Sequence, residues 1–329
     1  MDRRRGTLIP NVQLLSIGDA NAELAFSPLQ QLPRFGQEIV VSQLALRAAG
    51  SAANFAICGA SLGVKTGFAG RLAVDAFGEV VLKAFRKVNV DTKCLQLAED
   101  STTGITTAMI RKDGERAFIT YQGTIAELDF KVLEKCLQTD TPPRWVHLAG
   151  YHLLSSLHGK PAIELLHLAQ SRGAITSLDT GWDPAGWSDD TIKQVLEILQ
   201  CVDVFFPNAN ELKALTGERN PKKGAKILLE GGAPALVVKL GAKGCLLATK
   251  QDRHLIPAFD VPVVDTTAAG DAFDAGFAVS MLSGATMGRA AVFANAVAAL
   301  RVSRHDIHPL FPSLEETSAF LMRHRPLDA

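Results

Sequence analysis

The chain has 329 residues, 47% of them apolar, and its 34 Lys plus Arg are balanced by 34 Asp plus Glu, for a formal charge of zero. That is enough apolar sequence for one large α/β domain with a small appendage, and the neutral balance gives no electrostatic footing for nucleic acid or an anionic membrane as partner. No apolar run reaches the roughly 18 to 20 residues that cross a bilayer, so a soluble protein is expected, and Arg3-Arg4-Arg5, with no apolar stretch behind it, reads as a solvated end.

Residues 13–17 are an apolar run closed by Gly18 and predict a strand. Residues 21–46 then carry strand-like runs such as FGQEIVVSQL without a helix between them, and a helix of small residues is expected over 51–62. Residues 102–122 (TTGITTAMI, ERAFITY) repeat the hairpin-like pattern. From Trp145 the chain alternates: strand 145–148, helix 160–171, strand 174–178, helix 189–199, strand 202–206, helices from Asn210 and Lys222, and strand 235–240. Gly241-Ala-Lys-Gly244 predicts a tight turn between two strands. Two helices after Ala269 and a last one from Ser313 close the domain. Strand and helix in alternation argue for a mostly parallel central sheet with helices on both faces, where ligands bind at the carboxyl ends of the strands.

Five cysteines (Cys58, Cys94, Cys136, Cys201 and Cys245) lie far apart with no C-x-x-C pair. Their apolar neighbours mark them as core thiols, neither a zinc site nor a disulfide framework, and a reducing cytoplasm is the expected compartment. His147, His152, His158 and His167 have no metal-ligand pairing and read as packing or surface residues. Trp182 and Trp187, in DTGWDPAGW, read as a plug on the domain surface.

The chemistry concentrates in Asp265-Thr-Thr-Ala-Ala-Gly-Asp-Ala-Phe-Asp274. Phe273, Phe277 and Met281 recur at four-residue intervals and Gly284 follows as a stop, so a helix begins near Gly270. The first N–H groups of a helix have no internal partners and sit at its positive end. Ala268, Ala269, Gly270 and Asp271 can therefore close around a phosphate, while the Asp271 carboxylate at the rim accepts the proton of an attacking alcohol. An ordinary acid in the first turn of a helix is the plainer alternative. The absence of G-x-x-x-x-G-K-[ST] disfavours a Walker-type NTPase.

This segment, DTTAAGDAFDAGF, resembles the C-terminal signature of the ribokinase-like (PfkB) carbohydrate kinases, DTTGAGDAFxAGF, with Ala268 in place of the usual Gly. Ala49-Gly50-Ser51-Ala52-Ala53-Asn54 is similar to that family's Gly-Gly…Asn signature with its first Gly missing. SLGVKTGFAGRLAVDAFGE carries Gly63, Gly70, Asp75, Phe77 and Gly78 in register with another family run. DGERAFITYQG around Gly114 to Gly123, FFPNANELKALTG and VVKLGAKGCLL also fit, so the likeness runs from about Val12 to Arg304.

The resemblance implies a ribokinase-like fold. Residues 1–20, 47–101 and 123–329 would form the large α/β domain, and residues 21–46 and 102–122 a small β-sheet lid that excludes water from the cleft and pairs two subunits as a homodimer. It implies an ATP- and Mg²⁺-dependent kinase that phosphorylates a primary hydroxyl of a ribose- or fructose-like sugar with Asp271 as base. A nucleoside kinase of the same family, or a catalytically silent sugar-binding relative, are the alternatives. Asn208 and Glu211 would order the water shell of Mg²⁺, or simply cap a helix. Lys239 (where the family usually has Thr), Gly241 and Gly244 would meet the nucleotide, and Asn295 would lie near the adenine or serve helix packing. Asp265 and Thr267 would help hold K⁺, or form a simple turn. Gly50, Ser51 and Asn54 fall at the acceptor sugar together with Glu23, which stands where the family has Asp. Asp19 and Asn21 in the same run are further candidate sugar ligands.

Overall fold

The computed structural model describes residues 11–111, 116–304 and 311–324. Arg3-Arg4-Arg5 and Gly114 lie outside the described residues. The elements run β1 (Leu14–Gly18), β2 (Asn21–Leu29), β3 (Gln43–Ala49), α1 (Ser51–Ser61), β4 (Thr66–Ala69), β5 (Arg71–Ala73), α2 (Ala76–Lys87), β6 (Gln96–Ala98), β7 (Gly104–Arg111), β8 (Arg116–Tyr121), α3 (Phe130–Leu137) and β9 (Trp145–Ala149). They continue with α4 (Lys160–Ser171), β10 (Ile175–Asp179), α5 (Asp189–Ile198), β11 (Val204–Phe205), α6 (Ala209–Thr216), α7 (Pro221–Glu230), β12 (Ala235–Lys239), β13 (Cys245–Thr249), β14 (Arg253–Ile256), α8 (Ala269–Leu282), α9 (Met287–Val302) and α10 (Leu314–Arg323).

Eight strands form the central sheet in the order β14-β13-β12-β11-β10-β9-β1-β4. From β4 to β12 the pairs are parallel. Parallel strands are covered on both faces and so read as unbroken apolar runs; every residue of β1 and β9 is buried. Leu15 and Ile17 of β1, with Val146 and Leu148 of β9, face the layer that holds α4, α5 and α7. Leu14 and Trp145 face the layer of α1, α8 and α9, as side-chain alternation requires. The Gly241–Lys243 turn is too short for a crossover, so β13 returns antiparallel to β12.

Strand β11 is shorter than the expected 202–206. At its start the Asp203 carboxylate accepts from the Thr176 amide (2.8 Å) and displaces a ladder bond. A second sheet, β3-β2-β7-β8, has no helix within it. Its register puts Glu23, Arg47, Thr106 and Arg116 on one face, and Leu24, Leu46 and Ile119 on the other.

Two expectations are corrected by the structure, those for the cysteines and for Trp187, whereas His147 packs in the core as expected. A disulfide joins Cys94 to Cys136, while Cys58, Cys201 and Cys245 are free and buried. The fold brings together two cysteines 42 residues apart, a pairing invisible to local spacing, and it removes the cysteine argument for a reducing compartment. Trp187 is no surface plug: it is buried against the His152 ring, whereas Trp182 is exposed. His147 is buried in a stack with Phe55 and bonded to Ser177, and burial brings its pKa down to about 3. Among the described residues no helix is long and apolar enough to cross a membrane.

Candidate active site

Helix α8 begins at the carboxyl edge of the sheet, after a turn set by Asp265, whose carboxylate accepts from the Thr267 amide (2.8 Å). Ala268 follows in the left-handed region at φ 56, a conformation that costs a residue with a Cβ about 1 kcal/mol or more and that suits the Gly of the family signature. Ala272 N–H closes the first turn on the Ala268 carbonyl. Gly270 and Asp271 N–H have no acceptor among the described residues, but the Ala269 amide is turned back to the Thr266 carbonyl (3.3 Å). The anion-binding edge expected over four residues therefore loses Ala269.

The Asp271 carboxylate lies half-buried and accepts from Asn54 Nδ2 at 2.8 Å. Burial, aided by the charge of Asp179, raises its pKa to about 7 against the opposing pull of the Asn54 bond and Lys239. Asn54 itself stands on α1, and its Oδ1 is buried with no partner among the described residues. An unpaired buried carbonyl oxygen costs about 1–3 kcal/mol, so a hydroxyl brought next to Asp271 has an acceptor waiting.

On the acceptor side three of the candidate residues already have protein partners. Asp19 accepts from the Ser51 (3.0 Å) and Ala52 (2.9 Å) amides, one on each carboxylate oxygen, and so caps α1. Gly50 is required beside it, since at φ 103 a Cβ would lie 2.6 Å from the Asp19 carbonyl. Glu23 is held by Arg47 Nε at 2.7 Å, so its longer side chain is engaged within the small sheet. Asn21 bonds the Thr106 hydroxyl (2.8 Å).

On the other side of α8 a cavity of about 560 Å³ is lined by Lys239, Gly241, Gly244, Ala269, Gly270 and Asn295, among others. Gly244 makes the wall possible: at φ 87 a Cβ there would collide with the Ile256 carbonyl. Asn295 Nδ2 donates to the Ile256 (3.3 Å) and Pro257 (3.1 Å) carbonyls, which fixes the side chain at the cavity. Asn208 and Glu211 form a complete capping box at the start of α6. Burial and the nearby Asp179 raise Glu211 to about 7.

Lys239 donates to Asp179 (2.7 Å) and Asp274 (2.9 Å). Burial would raise the Asp179 carboxyl, yet the Lys239 charge and hydrogen bonds bring it to about 2, whereas burial carries Asp274 well above the ordinary range. Sequence reasoning missed both acids. The signals were there: Asp179 ends a strand where ligands gather, and Asp274 lies one helical turn beyond Gly270.

The side chains of Asp265 and Thr267, the candidates for K⁺, are engaged by arginines. The Asp265 carboxylate is paired with Arg116 (2.9 Å), Arg301 (3.0 Å) and Arg47 (3.4 Å), and the Thr267 hydroxyl accepts from Arg116 (2.6 Å). A further cation would face three guanidiniums. Burial would raise the Asp265 carboxyl, but the Thr267 hydrogen bonds and the Arg301 charge outweigh it and hold it well below the usual carboxylate range. These arginines too went unseen; Arg47 and Arg116 come from the small sheet, far off in sequence.

Residues 12–313 match the model of the pfkB family carbohydrate kinases. The chain belongs to this family. It is 26% identical to the ribokinase of Haemophilus influenzae over 94% of this chain and 98% of that one, and 28% identical to probable fructokinase-3 of Arabidopsis thaliana over 83% and 82%. The structure of Arabidopsis thaliana ribokinase complexed with ribose and ATP superposes with a TM-score of 0.77 at 26% identity, covering 94% of this chain and 98% of that one. This pfkB kinase thus has the ribokinase fold and is a sugar kinase.

Proposed function

We propose that this pfkB kinase transfers the terminal phosphate of ATP to a primary hydroxyl of a ribose- or fructose-like sugar. The observation that carries the reading is the meeting at one helix end of a half-buried Asp271 carboxylate, the unpaired Asn54 Oδ1 and the open Gly270 and Asp271 amides. Asn54 accepts a hydrogen bond from the sugar and orients it; Asp271 takes the proton of the attacking hydroxyl. The two amides stabilise the charge on the transferred group. Gly50 lets the backbone approach the sugar closely, with Ser51 and Asn21 at its edge.

ATP fits the cavity of about 560 Å³ that ends at Gly270; bound with Mg²⁺, it supplies the phosphoryl group and a divalent charge. Glu211 and Asn208 use their oxygens in the capping box, so they would hold a hydrated Mg²⁺ through hydrogen bonds to its waters. Leu44, Leu46, Ile119 and Tyr121 are exposed on the small sheet, which we take as the lid and as the face of a homodimer.

A panel of ribose, fructose and nucleosides assayed by ADP release tests the reading. Turnover of a sugar supports it, turnover of nucleosides alone transfers it to a nucleoside kinase, and sugar binding without ADP release marks a silent relative. Replacing K⁺ by Na⁺ or choline is expected to leave turnover unchanged, because guanidiniums already neutralise Asp265; a strict K⁺ requirement in the same assay contradicts this.

A base with a pKa of about 7 must lose its proton to work, so kcat/KM is expected to climb through pH 7, and a profile flat from pH 5 to 8 contradicts the assignment. The same shift sets stability. A carboxyl raised in the folded state favours folding below its ordinary pKa, and that contribution is lost as pH rises from about 4 to about 7. Asp271→Asn is therefore expected to raise Tm at pH 8 and to leave it nearly unchanged at pH 4.

A further inference from the structure

The ammonium of Lys239 lies beside the reacting groups without belonging to the Asp271–Asn54 pair or to the open amides. It sits at the end of β12 and gives one N–H to Asp179 Oδ2 (2.7 Å), at the end of β10, and one to Asp274 Oδ2 (2.9 Å), on α8. A Cβ placed on Gly270 would lie 3.5 Å from that nitrogen. Lys239 also shares the cavity wall with Ala269 and Gly270. The positive group is thus beside the same helix end whose amides are open, on its nucleotide side.

An ammonium has three N–H bonds, and two of these go to carboxylates. A free lysine side chain loses much rotamer freedom when it is fixed on a ligand. Here the acids fix it before any ligand arrives, which is the preorganisation that makes electrostatic stabilisation effective. Resting on the kinase reading, we propose that Lys239 donates its third N–H to the transferred phosphoryl group, alongside the Gly270 and Asp271 amides. Asp179 and Asp274 are then positioning residues that aim it. The step balances with the lysine unchanged: the sugar oxygen forms its bond to phosphorus as the bridging oxygen of ATP leaves with ADP, and the sugar proton passes to Asp271.

The rival account has Lys239 only neutralising two buried acids. Lys239→Thr combined with Asp179→Asn removes one charge of each sign, because Asp179 is the ionised partner while burial carries Asp274 well above the ordinary carboxylate range. With a sugar that the wild type phosphorylates, this double variant is expected to lose about 100-fold in kcat with KM for the sugar unchanged. A wild-type kcat in the double variant overturns the proposal.

Should that variant fail to fold, the side-chain ¹⁵N resonance of Lys239 in wild-type protein decides. It is expected to shift on adding ADP, Mg²⁺ and aluminium fluoride, and an unmoved resonance overturns the proposal. The two readings fail separately. Wild-type protein that releases no ADP with any sugar contradicts the kinase function, whereas an active wild type with an equally active double variant contradicts only the role of Lys239.

Discussion

Asp271→Asn is expected to lower kcat at least about 100-fold, a barrier increase of about 2.7 kcal/mol or more, while nucleotide binding stays within a few-fold of wild type. The reason is the division of labour around α8. The cavity proposed for the nucleotide lies on the side of Lys239, Gly241 and Asn295, whereas the carboxylate is turned to Asn54, on the side proposed for the acceptor. The amide of asparagine keeps an oxygen for the Asn54 bond but accepts no proton from an alcohol. Steady-state ADP release, paired with calorimetric titration of ATP, separates the two effects. A variant with near-normal turnover contradicts the assigned base.

The second large effect concerns stability. Asp265→Ala is expected to cost about 3–5 kcal/mol, because it removes a carboxylate shared by three buried or largely buried guanidiniums. Arg301 is fully buried, and Arg47 and Arg116 are largely so, all three directed at one carboxylate. The same carboxylate sets the turn before α8 through the Thr267 amide, so its loss also loosens the helix end. Urea denaturation measures the change, and a loss below about 1 kcal/mol, the worth of an exposed ion pair, contradicts a structural centre at Asp265.

How much of this was readable in advance follows from the range of each interaction. The parallel core was legible because β1 and β9 are buried along their whole length, which leaves an unbroken apolar run in the sequence. The start of α8, its open amides and Asp271 were legible because a helix terminus is a local event. Asn208 and Glu211 were legible as a cap for the same reason, three residues apart.

The electrostatic framework was not. Lys239 meets Asp179 across 60 residues, Arg47 meets Asp265 across 218, and Asp19 caps a helix whose first amide lies 32 residues on. Lys239, Asp265 and Asp19 looked like ligand groups when taken alone, Asp179 and Arg47 drew no notice, and each is a partner to something the chain brings in from elsewhere. The family signature located the start of α8 with its open amides and Asp271, and departures from it, Lys239 above all, found their partners only in the fold.

The account stands on the convergence of the Gly270 and Asp271 amides, the Asp271 carboxylate and Asn54 at one point. A crystal structure with ADP, Mg²⁺, aluminium fluoride and the preferred sugar tests it most directly. The account predicts the fluoride group within hydrogen-bond reach of both amides, and the sugar's primary hydroxyl between it and Asp271. A complex with the fluoride group seated away from that helix end, or with the sugar hydroxyl out of reach of Asp271, would contradict it.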